Sequence, residues 1–136
     1  KNDNRSKDWL KVKRDETADC VVMGIQTGNG KTESTFGALV LGQYDADGRL
    51  IEVGRTSGMT DAERRIILGI VKHIAEDPMS PVAHDKSVQR AIEPKLVVEV
   101  EFMERTDRGR LRHPRYLRMR SDKEPYQCTL AGVKAE

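Results

Sequence analysis

The chain offers chemistry chiefly through its cations. Between Arg105 and Lys123 lie eight of them (Arg105, Arg108, Arg110, Arg112, Arg115, Arg118, Arg120 and Lys123) against two anions, Asp107 and Asp122. The surplus is six positive charges within 19 residues. The rest of the chain carries 16 cations and 20 anions, so the overall +2 hides a basic block on a slightly acidic background. Such a block suits a polyanion, either nucleic acid or a polyphosphate, and it equally suits arginines that merely solvate a strand and its loop. Arg118 and Arg120 are two apart, so on a strand they leave by one face, where guanidinium forks can grip phosphate oxygens in pairs. Lys11 and Lys13 repeat that spacing. Two ammonium groups converging on one spot suit a phosphate, and two solvated lysines on an edge strand have the same pattern. Cys20 and Cys128 are the only cysteines, and the histidines are not clustered. Neither a zinc site nor a disulfide framework follows, no metal ligands are assigned, and two lone thiols fit a reducing cytosol.

These side chains need a scaffold, and 136 residues suffice for one ordinary domain. Apolar residues make up 37% and charged residues 34%, enough for a single modest core under a solvated surface. Aromatics at 4% argue against a large aromatic-lined cavity. No apolar run approaches the roughly 20 residues that span a bilayer, and no signal peptide opens the sequence. The expected location is cytoplasmic or nucleoid-associated, with no membrane partner and no secretion.

Residues 1–7 read as a polar tail or linker. Thr17–Gln26, Phe36–Asp45 and Arg49–Thr56 read as three strands of an antiparallel meander, with turns at Gly28-Asn29-Gly30-Lys31 and Asp45-Ala46-Asp47-Gly48. Thr60-Asp61-Ala62-Glu63 has the form of a capping box, and Ile66, Ile67, Ile70, Val71 and Ile74 recur at helical spacing. The spacing predicts one helix from about Asp61 to about Glu76, stopped by Asp77-Pro78. Residues 79–94 read as a loop. Leu96–Glu104 makes a fourth strand and Arg115–Ser121 a fifth, with Leu117 and Met119 on one face and Tyr116, Arg118 and Arg120 on the other. The order β-β-β-α-β-β, all-β with one helix, is the layout of a five-stranded OB-fold barrel, whose face and loops commonly bind oligonucleotides.

Three stretches, in order, resemble the C-terminal portion of ATP-dependent DNA ligases. Trp9-Leu10-Lys11-Val12-Lys13-Arg14 looks like nucleotidyltransferase motif V, the strand that ends the adenylation domain. Gly54-Arg55-Thr56-Ser57-Gly58-Met59-Thr60-Asp61 is similar to the family's approach to the OB helix, with Thr56-Ser57-Gly58-Met59 where the family usually has Gly-Thr-Gly-Phe. Leu111 to Lys123 looks like motif VI, the L-R-x-P-R-(F/Y)-x-R-x-R-x-D-K signature. Motif I, the K-x-D-G segment whose lysine attacks ATP, is absent from the sequence, as are motifs III and IV. The resemblance therefore implies residues 1–16 as motif V strand and interdomain linker, 17–136 as the OB domain, and the whole as a fragment of a larger enzyme, inactive alone and with no catalytic residue of its own.

What the resemblance implies for the residues is specific. Lys11 and Lys13 would contact the α-phosphate of ATP. Arg118, Arg120, Asp122 and Lys123 would close over the β- and γ-phosphates, with Asp122 orienting Arg120 or Lys123, or helping to hold a hydrated Mg2+ ion. The OB domain would then swing about a linker around Arg14–Asp19 and clamp nicked double-stranded DNA for phosphodiester formation. Lys31, Arg105, Arg108, Arg110, Arg112 and Arg115 are the candidates for DNA contact, with Arg112 and Arg115 equally suited to the nucleotide. The adenylation domain of the same enzyme is the implied second partner. Two other readings compete: a stand-alone single-strand-binding OB module, which would need clustered aromatic platforms, and the OB domain of an RNA ligase or mRNA-capping enzyme. The phosphate reading requires a five-stranded barrel to mount the guanidinium groups on, and guanidinium groups that are not buried as internal ion-pair partners.

Overall fold

The structure is a computed structural model that describes residues 16–32 and 34–130. Its elements are β1 (Glu16–Gln26), β2 (Ala38–Tyr44), β3 (Leu50–Thr56), α1 (Asp61–Val71), β4 (Val88–Ala91), β5 (Val97–Phe102), β6 (Glu104–Arg105), β7 (Leu111–Arg112) and β8 (Arg115–Met119). Trp9, Lys11, Lys13 and the rest of the motif V stretch lie outside the described residues.

β1 organises the sheet. Every residue from Cys20 to Ile25 is buried, so the strand reads as a continuous apolar run rather than an alternating one. Its C-terminal half pairs antiparallel with β2, from Val21↔Gly42 to Gln26↔Ala38. On the opposite edge its N-terminal half pairs with β5, from Glu16↔Phe102 to Val21↔Val97, and its last residues pair with β4. The order is β3-β2-β1-β5-β8, with β4 beside the far end of β1. The change of neighbour requires a close backbone approach at Gly24, where a Cβ would stand 2.5 Å from the Arg90 carbonyl oxygen. Between the outer strands, the Thr56 hydroxyl donates to the Pro114 carbonyl at 2.9 Å. The five expected strands of an OB-fold are β1, β2, β3, β5 and β8.

The core lies inside this curved sheet. Val22, Leu39, Leu41, Val53, Val98 and Val100 meet Ile67 and Val71 from α1 and Tyr116 from β8. The helix begins as expected: Thr60 Oγ1 accepts the Glu63 N–H at 3.1 Å, and a Glu63 carboxylate oxygen accepts the Thr60 N–H at 2.9 Å. It ends at Val71, short of the expected Glu76. The next residues are taken by tertiary pairing instead. Glu76 bridges Ile92, the Glu93 N–H donates to Ala75, and Arg90 Nη2 donates to the Ile74 carbonyl at 2.7 Å.

Other expectations need correction. The stretch 79–94 is not wholly loop, because β4 within it pairs with β1. After Phe102 the chain forms a small β6–β7 hairpin that the sequence reading missed. Thr17–Asp19, expected both in the first strand and in the linker, are strand, in register with β5. The faces of the last strand are also different. A register irregularity opposite Glu99/Val100 sets Val100 against Tyr116 and Val98 against Met119. Tyr116 is therefore buried, and Met119 packs against the same core.

Candidate nucleotide-phosphate and DNA interface

At the end of β8 three cations gather. Arg120 is clamped from two sides: Nε and Nη2 donate to the two Asp122 oxygens at 3.0 and 3.1 Å, and Nη1 donates to Asp19 Oδ1 at 3.1 Å. Lys123 Nζ lies 3.7 Å from the other Asp19 oxygen. Arg118 Nε lies 2.7 Å from Glu99 Oε1, which is also 3.9 Å from Arg120 Nη1. Arg118 and Arg120 thus share a side of the strand as expected. Hydrogen bonding to Asp122 holds Arg120 more firmly protonated than an ordinary arginine, and in return keeps the Asp122 carboxyl below its usual range. The Arg120 side chain is only 20% exposed, against 64% for Arg118.

Beside this rim runs an open groove of about 540 Å³, between Ile70 of α1, Lys95–Val97, Met119–Ser121 and Lys123. Arg120 and Lys123 line it, with Ser121 between them. Asp122 is engaged with Arg120, and no group of three or more His, Cys, Asp or Glu side chains suited to a metal ion occurs among the described residues. Of the two roles expected for Asp122, orienting Arg120 fits the structure. The donor set here does not form a protein-only cage for a resident Mg2+ ion.

The remaining arginines are less free than their spacing implies. Glu99, Glu101 and Glu104 stand directly opposite Arg118, Arg115 and Arg112 across the strand ladders, and each pair is joined by an ion pair. These guanidinium groups are therefore ion-paired within the domain, and of the last-strand arginines Arg120 is the one largely shielded. Arg112, Arg115 and Arg118 nonetheless keep more than half of their side-chain surface exposed, so water screens these pairs and another anion can compete. Arg110 lies 3.4 Å from Glu52 and remains half-exposed. Arg108 is exposed at the hairpin tip, and Lys31 is exposed on a short 3-10 turn, Gly30–Thr32, between β1 and β2. That turn is held by Thr32, whose hydroxyl accepts the Asn29 N–H and donates to the Asn29 carbonyl.

Arg105 is the clear correction among the DNA candidates. Its side chain folds inward, with Nη1 donating to Gln43 Oε1 at 3.0 Å and to the Gly109 carbonyl at 2.8 Å, and with its Cζ 5.6 Å from the centroid of the Phe102 ring. Its Nε and Nη2 are buried as well, and burial pushes the guanidinium pKa down. Arg105 braces the hairpin and is not presented to a duplex.

Sequence reasoning also missed Asp19 and Glu99, the carboxylates that hold the rim. The available signal was the alternation of Val98-Glu99-Val100-Glu101, which sends two acids to the side opposite the core. Asp19 gave no such signal, because only the pairing of β1 with β5 brings it to the distant β8.

An all-β barrel of this strand order with one helix belongs to the OB-fold class, whose face and loops commonly bind oligonucleotides. Residues 32–123 match the family described as the ATP dependent DNA ligase C terminal region, and the chain belongs to that family. Among curated proteins it is 38% identical over 127 residues to the multifunctional non-homologous end joining protein LigD of Mycolicibacterium smegmatis, covering 89% of this chain and 16% of that protein. It is 34% identical over 134 residues to a DNA ligase of Thermococcus onnurineus, covering 92% of this chain and 23% of the relative. Among solved structures it resembles a mycobacterial DNA ligase D complexed with ATP and MES, at TM-score 0.71 and 25% identity over 87% of this chain and 38% of that one. The ligase domain of M. tuberculosis LigD is similar at TM-score 0.67 and 25% identity, over 85% of this chain and 37% of that one. The chain thus spans less than a quarter of the length of those curated relatives.

Proposed function

We propose that this chain is the OB module of an enzyme that seals nicks in duplex DNA through a lysyl-adenylate and then a DNA-adenylate. Residues 1–16 would carry the motif V strand and the connection to the adenylation domain, and residues 17–136 the module itself. Lys11 and Lys13 would meet the α-phosphate. Arg118, Arg120 and Lys123 would close over the β- and γ-phosphates of ATP, held in place by Asp122. Fixed cations at that point stabilise the charge that develops as pyrophosphate leaves, without reorganisation during the step. In the second stage the module would turn another face to nicked duplex, with Lys31 and Arg108 as exposed contacts and Arg110, Arg112 and Arg115 as cations recruited from weak surface pairs.

The observation that carries this reading is the convergence of Arg118, Arg120 and Lys123 on one rim beside a groove, in a chain of the ligase family. Magnesium would arrive with the nucleotide, held chiefly by its phosphates, since no group of three or more His, Cys, Asp or Glu side chains suited to a metal ion occurs among the described residues. The test uses the complete enzyme. Arg120→Ala should cripple self-adenylation and largely spare the sealing of pre-adenylated nicks. Equal loss in both steps would refute the assignment of Arg120 to the nucleotide.

A further inference from the structure

Asp19 and Glu99 are cross-strand partners on β1 and β5, two carboxylates placed side by side. Like charges in that arrangement repel, and here both are mostly shielded, at 21% and 14% exposure. Arg118, Arg120 and Lys123 answer them. With Asp122 the cluster holds three carboxylates and three cations and is formally neutral. Arg120 is engaged on both sides in this state. Of its five N–H groups, two are given to Asp122, which fills the Nε/Nη2 fork, and one on Nη1 is given to Asp19. A phosphate that grips Arg120 therefore competes with Asp122 for that fork or crowds Asp19 at Nη1.

We infer that Asp19 and Glu99 are built-in competitors for the phosphate site, occupying its cations whenever no phosphate does and driving the phosphate off afterwards. The inference rests on the reading of this rim as a phosphate site and adds what limits its affinity. When a polyphosphate takes Arg118, Arg120 and Lys123, Asp19 and Glu99 are left facing each other without their counter-ions. That repulsion is relieved as soon as the anion departs. The device is reciprocal: whatever the carboxylates remove from phosphate affinity they return as a push toward release. A module that must grip ATP in one step and turn to DNA in the next needs such a limit on its grip. Asp122 plays a different part, because it lies on the same short segment as Arg120 and moves with it.

The test is tripolyphosphate titrated calorimetrically into this chain at low salt, with thermal melts confirming that each variant is folded. Asp19→Asn and Glu99→Gln, both near-isosteric, should each bind up to about fivefold tighter than the parent, the range expected for removing a partly exposed competing ion pair. Arg120→Ala should bind more weakly in every background. Asp19→Asn and Glu99→Gln binding no tighter than the parent, while Arg120→Ala still weakens binding, would overturn the competition and leave the phosphate site standing. Binding unaffected by Arg120→Ala would overturn the phosphate reading and the inference with it.

Discussion

Replacing Arg55 by alanine should destabilise the barrel far more than an ordinary surface change. Arg55 lies on β3 and spends all five of its N–H groups on four residues. Nε and Nη2 reach the Glu52 oxygens at 2.8 and 3.2 Å, Nη2 also reaches Asp85 at 2.7 Å, and Nη1 reaches Gln26 at 3.0 Å and Ser87 at 2.9 Å. It thereby ties β3 to the end of β1 and to the turn that leads into β4. The side chain is 22% exposed and that of Glu52 18%, so truncation leaves a shielded carboxylate whose remaining partner is Arg110 at 3.4 Å. Breaking a fully buried pair costs about 3–5 kcal/mol, and the exposure of Asp85 and Ser87 brings the expectation here down to about 2.5 kcal/mol. For a domain of this size that is a fall in Tm of about 8 °C. Thermal and guanidinium melts would measure it, with the denaturant slope unchanged. Arg55→Lys keeps the charge but loses the fork, and should fall between the two. Adding Glu52→Gln to Arg55→Ala should recover about 1 kcal/mol by neutralising the stranded carboxylate. An Arg55→Ala melt within about 1 °C of the parent would refute the hub.

Other expectations follow from single contacts. Gly24→Ala would put a Cβ 2.5 Å from the Arg90 backbone oxygen, and should cost about 2–3 kcal/mol by urea unfolding while separating β4 from β1. Thr60→Ala removes the helix cap and should cost about 1 kcal/mol in the same assay. Burial pushes both thiols up, Cys128 to about 12 and Cys20 further, so neither should react with a thiol reagent near pH 8 until denaturant is added. Asp85 is held down at about 2 by hydrogen bonds from Ser87 and Arg55, against about 3.9 in an unfolded chain. Its stabilising contribution is complete above pH 4 and is lost as the pH falls toward 2, so Asp85→Asn should flatten that part of the acid unfolding profile.

The chemistry of the last strand was legible because motif VI is a contiguous run, and contiguous signals survive without coordinates. The start of α1 was legible for a related reason: a capping box is a four-residue device that closes on itself. The end of α1 was not. Ile74 continues the helical period, yet its carbonyl is claimed by Arg90, a residue 16 positions away. The burial of Tyr116 was missed because a register irregularity reverses the alternation of a strand, and no local pattern announces one.

The sequence by itself determined the architecture of three strands, a capped helix and two further strands, and the family, since local periodicity and a contiguous motif carry both. Tertiary structure alone decided which cations stand free. Opposite Arg112, Arg115 and Arg118 it placed Glu104, Glu101 and Glu99; it folded Arg105 under a hairpin; and it brought Asp19 across about a hundred residues to Arg120. The physical reason is that an ionic group's behaviour depends on the charges and the water within a few ångströms of it, and strand pairing sets those neighbours without regard to their distance along the chain.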